Sequence, residues 1–208
     1  MNQPELTQQA LAILRSGEYF QWVVITLLAL VVYVYTNEYS KGNFKGIAAG
    51  ISLYLVHWFY EILNALIQHF SGHALWTVPT GTSFLILIGV GIELSFMFAA
   101  AGLVLSKLLP KDPNARILGI NNRIFMAVAN AALFSVIEIF LAQTPAFHWV
   151  YPWWGALPVF ITVYIPFFVV SFLCYDWKPK VQLTVIGVLF ALDLAMMVAG
   201  TKYRGQFE

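Results

Sequence analysis

Six long apolar stretches, separated by short polar or proline-bearing connections, set the pattern of this chain. They cover residues 19–36, 46–68, 82–108, 124–142, 154–175 and 181–200. A helix needs about 20 mainly apolar residues to cross the hydrocarbon core of a bilayer, so each stretch is predicted to span a membrane. The connections read EYSKGNFK, HFSGHALWTVPTG, LPKDPNARILGINNR, QTPAFHWVYPW and DWKPK. None is long enough for a second domain, and no internal repeat is present. The expected fold class is therefore all-α: a polytopic transmembrane helical bundle of about six spans over residues 19–200, with both termini outside. Residues 1–18 are expected to be a polar or interfacial segment and residues 201–208 a polar tail. In the first, Leu6, Ala10, Leu11 and Leu14 share one face of a short interfacial helix, a frayed polar tail being the alternative. No basic region precedes an apolar run there, so the segment does not read as a cleavable signal.

Orientation comes from the basic residues. Loops one, three and five carry Lys41, Lys45, Lys107, Lys111, Arg116, Arg123, Lys178 and Lys180, whereas loops two and four carry none. The positive-inside rule places the odd loops in the cytoplasm and both termini outside. The outer loops hold Trp76, Trp149, Tyr151, Trp153 and Trp154, which read as rings seated among lipid headgroups. Small residues recur every fourth position: Gly42, Gly46 and Gly50; Gly91, Ser95 and Ala99; Ala127, Ala131 and Ser135. In lipid this spacing lets helix backbones approach closely. Pro158 and Pro166 are expected to bend the fifth span and free carbonyls near its middle.

Composition narrows the function classes. The 208 residues are 60% hydrophobic and 10% charged, against about 25% charged in a soluble domain. A net charge of +1 leaves no basic surface for nucleic acid. Cys174 is the only cysteine, which excludes intrachain disulfides, CxxC redox chemistry and thiolate zinc sites.

The chemistry that remains lies in the spans. Of ten acidic residues, four fall inside them: Glu61, Glu93, Glu138 and Asp193. A centrally placed acid costs roughly 2.5–3.5 kcal/mol on the translocon scale, so these groups require partners, a cavity or a role. Counting depth along continuous helices puts Glu93 near the midplane, with Glu61, Asp193 and Glu138 progressively outward. One outward-opening pocket is expected to gather them. Tyr54, His57, Glu61, Asn64 and Gln68 follow 3-4-3-4 spacing and form one stripe of the second span. His57 and Glu61, i and i+4, are placed to hydrogen-bond. A plain alternative is a polar seam that glues helices together.

Lys107 and Arg123 stand at the cytoplasmic ends of the third and fourth spans, and no Lys or Arg lies deeper in any span. The carboxylates are then protonated, bound to a cation, or set along a proton path. A di-iron carboxylate site pairs its acids with Glu-x-x-His motifs, and none occurs, so no metal or other cofactor is expected. A transporter shows repeats or matched broken helices, and only the fifth span is interrupted. A third option is acid chemistry on a lipophilic substrate. One carboxyl donates a proton, another stabilises developing positive charge, and aromatic walls add cation–π attraction.

Two families resemble this chain at these residues. The stretch from Glu38 through Glu61, with Asp193 in Phe190-Ala191-Leu192-Asp193-Leu194, resembles small integral membrane terpene cyclases of meroterpenoid pathways. That resemblance implies an essential Glu in helix two and Asp in the last helix. The family has seven helices and a Trp directly before its Glu, where Tyr60 stands here and Trp58 lies three back. His57-Trp58-Phe59-Tyr60-Glu61 followed by Glu93 is similar to the His-x-x-x-Glu and Glu pattern of the emopamil-binding and sterol-isomerase group. Both resemblances imply proton-initiated chemistry on an isoprenoid. The expected catalytic set is His57, Glu61, Glu93 and Asp193, with Trp58, Asn64, Asn130, Glu138 and Tyr164 as binding residues. Membrane lipids and a lipophilic small molecule are the expected partners, and a homo- or hetero-oligomer is compatible with the sequence. The alternative function is a proton or small-cation pathway, or an accessory subunit of a larger membrane complex.

Overall fold

The computed structural model describes residues 4–204; residues 1–3 and 205–208, the latter closing the expected tail, lie outside that description. In chain order the helices are α1 (Pro4–Ile13), α2 (Val23–Ser40), α3 (Phe44–Ser71), α4 (Ile92–Ser106), α5 (Asn122–Leu141), α6 (Ala156–Val159), α7 (Ile165–Asp176) and α8 (Pro179–Arg204). A π-helical turn, Phe160–Tyr164, joins α6 to α7 into one continuous helix. Three small antiparallel ribbons are present. They pair β1 (Trp76–Thr77) with β6 (His148–Trp149), β2 (Leu85–Leu87) with β3 (Val90–Gly91), and β4 (Arg116–Ile117) with β5 (Ile120–Asn121). α2, α3, α5, the run Ala156–Asp176 and α8 are each long and apolar enough to cross a membrane. The chain is a multi-pass integral membrane protein of the all-α class. α3 is its central helix, packed on α4, α7 and α8, while α5 packs on α7. α8 runs to Arg204, so helix extends into the segment expected as tail.

The third apolar stretch departs from the expectation. Residues 82–91 are not helical: they fold as the β2–β3 hairpin, and α4 has 15 residues. A short apolar run such as Leu85-Ile86-Leu87-Ile88 looks the same in sequence whether it builds a buried strand or a helix. Here Gly89 decides. A Cβ on it would lie 2.3 Å from Trp76 Nε1 and 2.6 Å from Asn64 Nδ2. Non-helical backbone is tolerated at membrane depth only where protein buries it, and Leu85, Ile88 and Val90 are all buried. The Val78 N–H donates to the Ile88 carbonyl at 3.1 Å, and the Arg15 N–H to that of Leu85 at 2.9 Å. α1 forms as expected and packs on this layer, where Ala10 joins Leu75, Trp76, Leu85 and Phe147 in one cluster.

Loops two and four meet through the β1–β6 ribbon at the end of the bundle where α1 sits. At the opposite end the basic loops are tied by ion pairs. The buried Glu38 carboxylate accepts from Lys107 Nζ at 2.6 Å and Asn43 Nδ2 at 2.7 Å. Arg123, 3% exposed, grips Asp176 through Nε at 2.5 Å and a terminal nitrogen at 3.2 Å, which locks α5 to α7.

Two sequence expectations are met inside the bundle. Gly50 of α3 faces Gly102 of α4 at a close backbone crossing, and Ser95, Ala99, Ala127, Ala131 and Ser135 are buried. Pro166 has no N–H for the carbonyl of Thr162, four residues earlier. The Tyr60 hydroxyl donates to that oxygen instead, at 2.5 Å.

A Cβ added to Gly102 would lie 2.7 Å from the Ala49 carbonyl oxygen and 3.0 Å from Gly50 Cα. Gly102→Ala should therefore force α3 and α4 apart and cost about 1–3 kcal/mol. The check is a lowered unfolding midpoint in detergent; an unchanged midpoint would mean the helices do not cross this closely.

Candidate functional site

α3 carries the expected polar stripe into the bundle. Tyr54 shares a hydrogen bond with Ser95 of α4, Oη to Oγ, at 2.9 Å. One turn on, His57 is 1% exposed, its ring stacked on Phe98 at 4.3 Å between centroids. His57 and Glu61 face each other as the spacing predicts, but Nδ1 and Oε1 stand 3.9 Å apart. That is beyond hydrogen-bond reach, so the expected direct bond is not formed. Another turn on, Asn64 is fully buried and clamps the start of loop two. Its Oδ1 accepts from the Leu75 N–H at 2.7 Å, and its Nδ2 donates to the Trp76 carbonyl at 2.9 Å.

The clamp matters because of what Trp76 does. Its indole Nε1–H donates to Glu61 Oε1 at 3.3 Å. Trp76 pairs in register with Trp149 across the β1–β6 ribbon. The Trp149 indole donates to Glu138 Oε1 at 2.6 Å, and the Tyr164 hydroxyl donates to Glu138 Oε2. One pair of cross-strand residues thus delivers one indole to each of two membrane carboxylates. Tyr164 closes the π-helical turn, a rare geometry that concentrates at functional sites. The extra residue in that turn shifts the helix register where Tyr164 meets Glu138.

His57, Glu61, Trp76, Glu138 and Tyr164 line a common cavity of about 40 Å³, walled by Leu94, Phe98, Phe147, Val159, Val163 and Phe167. His57 Nε2 and Glu61 Oε2 are buried and have no hydrogen-bond partner among the described residues. Among those residues no Lys or Arg forms an ion pair with Glu61 or Glu138. Buried polar atoms in proteins are nearly always satisfied, and exceptions call for a cause. Both belong to residues that line the same cavity, which leaves two unmet polar atoms there for a proton or a polar guest. Also among the described residues, no three His, Cys, Asp or Glu side chains come together as a metal site.

The structure separates the other sequence candidates from this cavity. Glu93 stands in the first turn of α4, where its carboxylate accepts from Thr82 Oγ1 at 2.6 Å and the Ser83 N–H at 2.7 Å. With residues 82–91 folded as a hairpin, the depth counted along a continuous helix no longer applies to it. Asp193 is buried on α8, both oxygens without a hydrogen-bond partner among the described residues, and it does not line the cavity. The four carboxylates therefore do not share one pocket; two of them do. Trp58 packs edge-on against Tyr54 and His57, and Asn130 bonds back to the Met126 carbonyl of its own helix at 2.8 Å.

Sequence reasoning missed Trp76 and Trp149, which read as belt aromatics. Trp76 is 7% exposed, and its polar edge points inward. The available signal was chemical: a tryptophan N–H removed from water needs an acceptor, and uncompensated carboxylates are the acceptors at hand.

A family model described as an uncharacterized membrane protein family matches residues 4–202. A chain from Archaeoglobus fulgidus, described as an uncharacterized protein, is 42% identical over 199 residues, covering 93% of this chain and 94% of that one. No solved structure matches. Neither match carries the resemblance to terpene cyclases or sterol isomerases.

Removing one partner of a buried polar pair leaves the other unsatisfied, at about 1–3 kcal/mol. Tyr164→Phe and Glu138→Gln should each destabilise by that much. The double variant should lose less than the sum, a coupling of about 0.5–3 kcal/mol. Denaturation of all four proteins in one detergent measures this, and strict additivity would show that the pair does not interact.

Proposed function

The chain belongs to a family of uncharacterized membrane proteins, and we propose that this member is a membrane-embedded isomerase or cyclase moving a proton on an isoprenoid or sterol-like lipid. The observation that carries the proposal is that Glu61 Oε2 and His57 Nε2, each without a hydrogen-bond partner among the described residues, belong to residues lining one cavity with a second carboxylate held by two donors.

The division of labour follows from hydrogen bonding. Glu138, gripped by Trp149 and Tyr164, is equipped to hold negative charge in a fixed position. Glu61, with one long bond from Trp76, keeps an oxygen free to exchange a proton. In the step proposed, the proton of Glu61 passes to one alkene carbon, and its C=C electron pair forms the new C–H bond. The neighbouring carbon becomes cationic, facing Glu138 and the rings of Phe98 and Phe167. Neutral His57 then takes a proton from the adjacent carbon through Nε2, and that C–H pair becomes the shifted double bond. Return of that same proton from His57 Nε2 to Glu61, by side-chain rotation that brings the helical neighbours within hydrogen-bond reach, restores both starting forms without a co-reactant. At about 40 Å³ the cavity admits a reacting chain end, where a whole drug-sized ligand needs roughly 300–1,000 Å³. A larger substrate enters by displacing the ring wall.

Incubation of the purified protein in D2O with a lipid extract of its native membrane tests this. Wild type should introduce deuterium at carbon into an isoprenoid or sterol-like lipid, read by mass spectrometry. Glu61→Gln should slow that by about 10²–10⁴-fold, with Asp193→Asn close to wild type. Absence of deuterium from every lipid, together with cation flux in liposomes under a pH gradient, would overturn the proposal in favour of a proton or small-cation pathway.

A further inference from the structure

Glu93, separate from the cavity, joins two larger hollows. On one side lies an apolar groove of about 420 Å³ between α2, α4 and α5, lined by residues such as Leu30, Met97, Ala100 and Phe134. On the other lies a vestibule of about 580 Å³, next to α1 and loop two, whose polar lining includes Gln21, Thr80, Thr82 and Ser83. Glu93 lines both, and among the described residues no Lys or Arg lines either. The nearby Arg15 turns its Nε to the Ile86 carbonyl, at 3.3 Å. The groove opens on the bundle surface, where Leu30, Met97 and Val104 are exposed. Phe134 closes its inner side and packs on Phe98 and Tyr164, so aromatic rings divide the groove from the acid cavity.

We infer that this crevice binds a single-chain lipid with a protonated amine head, the chain in the groove and the amine on the Glu93 carboxylate. Each hollow falls within the usual 300–1,000 Å³ of a ligand site. An ionised carboxylate offers about four acceptor positions, and Thr82 and Ser83 occupy two of them, leaving the rest for a donor. A phosphate head would meet a carboxylate with no compensating cation. An alcohol would satisfy hydrogen bonding but leave the charge unmatched, whereas an ammonium does both. This binding is independent of the reaction proposed for the cavity.

The test uses dodecylamine, dodecanol and dodecyl phosphate as probes, with saturable binding to protein-bearing nanodiscs measured above empty ones. Wild type should bind the amine at least about tenfold more tightly than the alcohol, and the phosphate least. Glu93→Gln, which keeps an acceptor for the Ser83 N–H and turns an amide donor toward the Thr82 hydroxyl, should abolish the preference for amine over alcohol. Ala100→Trp should fill the groove and weaken amine and alcohol alike. Glu61→Gln, which changes the cavity, should leave all three affinities as they are. Equal binding of amine and alcohol by wild type, a preference that survives Glu93→Gln, or binding unaffected by Ala100→Trp would each overturn the inference. Should Glu93→Gln fail to fold, the wild-type ranking and the Ala100→Trp result still decide it.

Discussion

Hydrocarbon offers no hydrogen bonds, so every polar group drawn into a membrane bundle has to be met by another group of the same chain. Glu61 and Glu138 meet this demand without a cation. Their indole donors come from loops two and four, which a two-residue ribbon pairs so that Trp76 and Trp149 stand side by side. One indole reaches Glu61 and the other Glu138. Much of the architecture at that end of the bundle serves that placement. Asn64 pins the start of loop two, Gly89 leaves room beside Trp76 and Asn64, and Trp154 stacks on Trp76 at 5.9 Å. α1 and the β2–β3 hairpin bury the same cluster from outside.

The same demand explains the irregular helix opposite α3. Pro166 frees a carbonyl at Thr162, and Tyr60 fills the vacancy from the helix that carries Glu61. Two residues from Thr162, the π-helical turn brings Tyr164 to Glu138. A helix that would be a weakness in lipid is thus bonded on both sides of its distortion. The opposite end of the bundle uses ordinary charge pairing, with Glu38 to Lys107 and Arg123 to Asp176, where water and headgroups lower the cost of charge. Among the described residues the Lys and Arg ion pairs lie at that end, whereas Glu61 and Glu138 inside the bundle have none, and that asymmetry makes the cavity chemically unusual.

Local periodicity made part of this legible. The stripe Tyr54, His57, Glu61 and Asn64 follows the helical repeat, and the structure turns it inward as that repeat requires. Proline chemistry foretold the free carbonyl in the fifth span, though not that Tyr60 would meet it. The β1–β6 pairing joins residues more than 70 positions apart, and no local pattern encodes it, so Trp76 and Trp149 looked like belt residues. The hairpin at 82–91 was hidden because its apolar run has helical and buried-strand meanings alike. Convergence of four acids was a count of depth along straight helices. Depth does not fix azimuth, and neither Asp193 on α8 nor Glu93 in the first turn of α4 lines the cavity of Glu61 and Glu138.

The central claim is that two paired tryptophans hold two membrane carboxylates, one each. The indole N–H resonances of protein carrying ¹⁵N-labelled tryptophan report on this directly. Glu138→Gln should shift the Trp149 indole signal strongly and Trp76 little, while Glu61→Gln should do the reverse, because a neutral amide oxygen is a weaker acceptor than a carboxylate. If neither indole responds to loss of its carboxylate, or both behave as freely exchanging N–H groups at a lipid surface, the account is wrong.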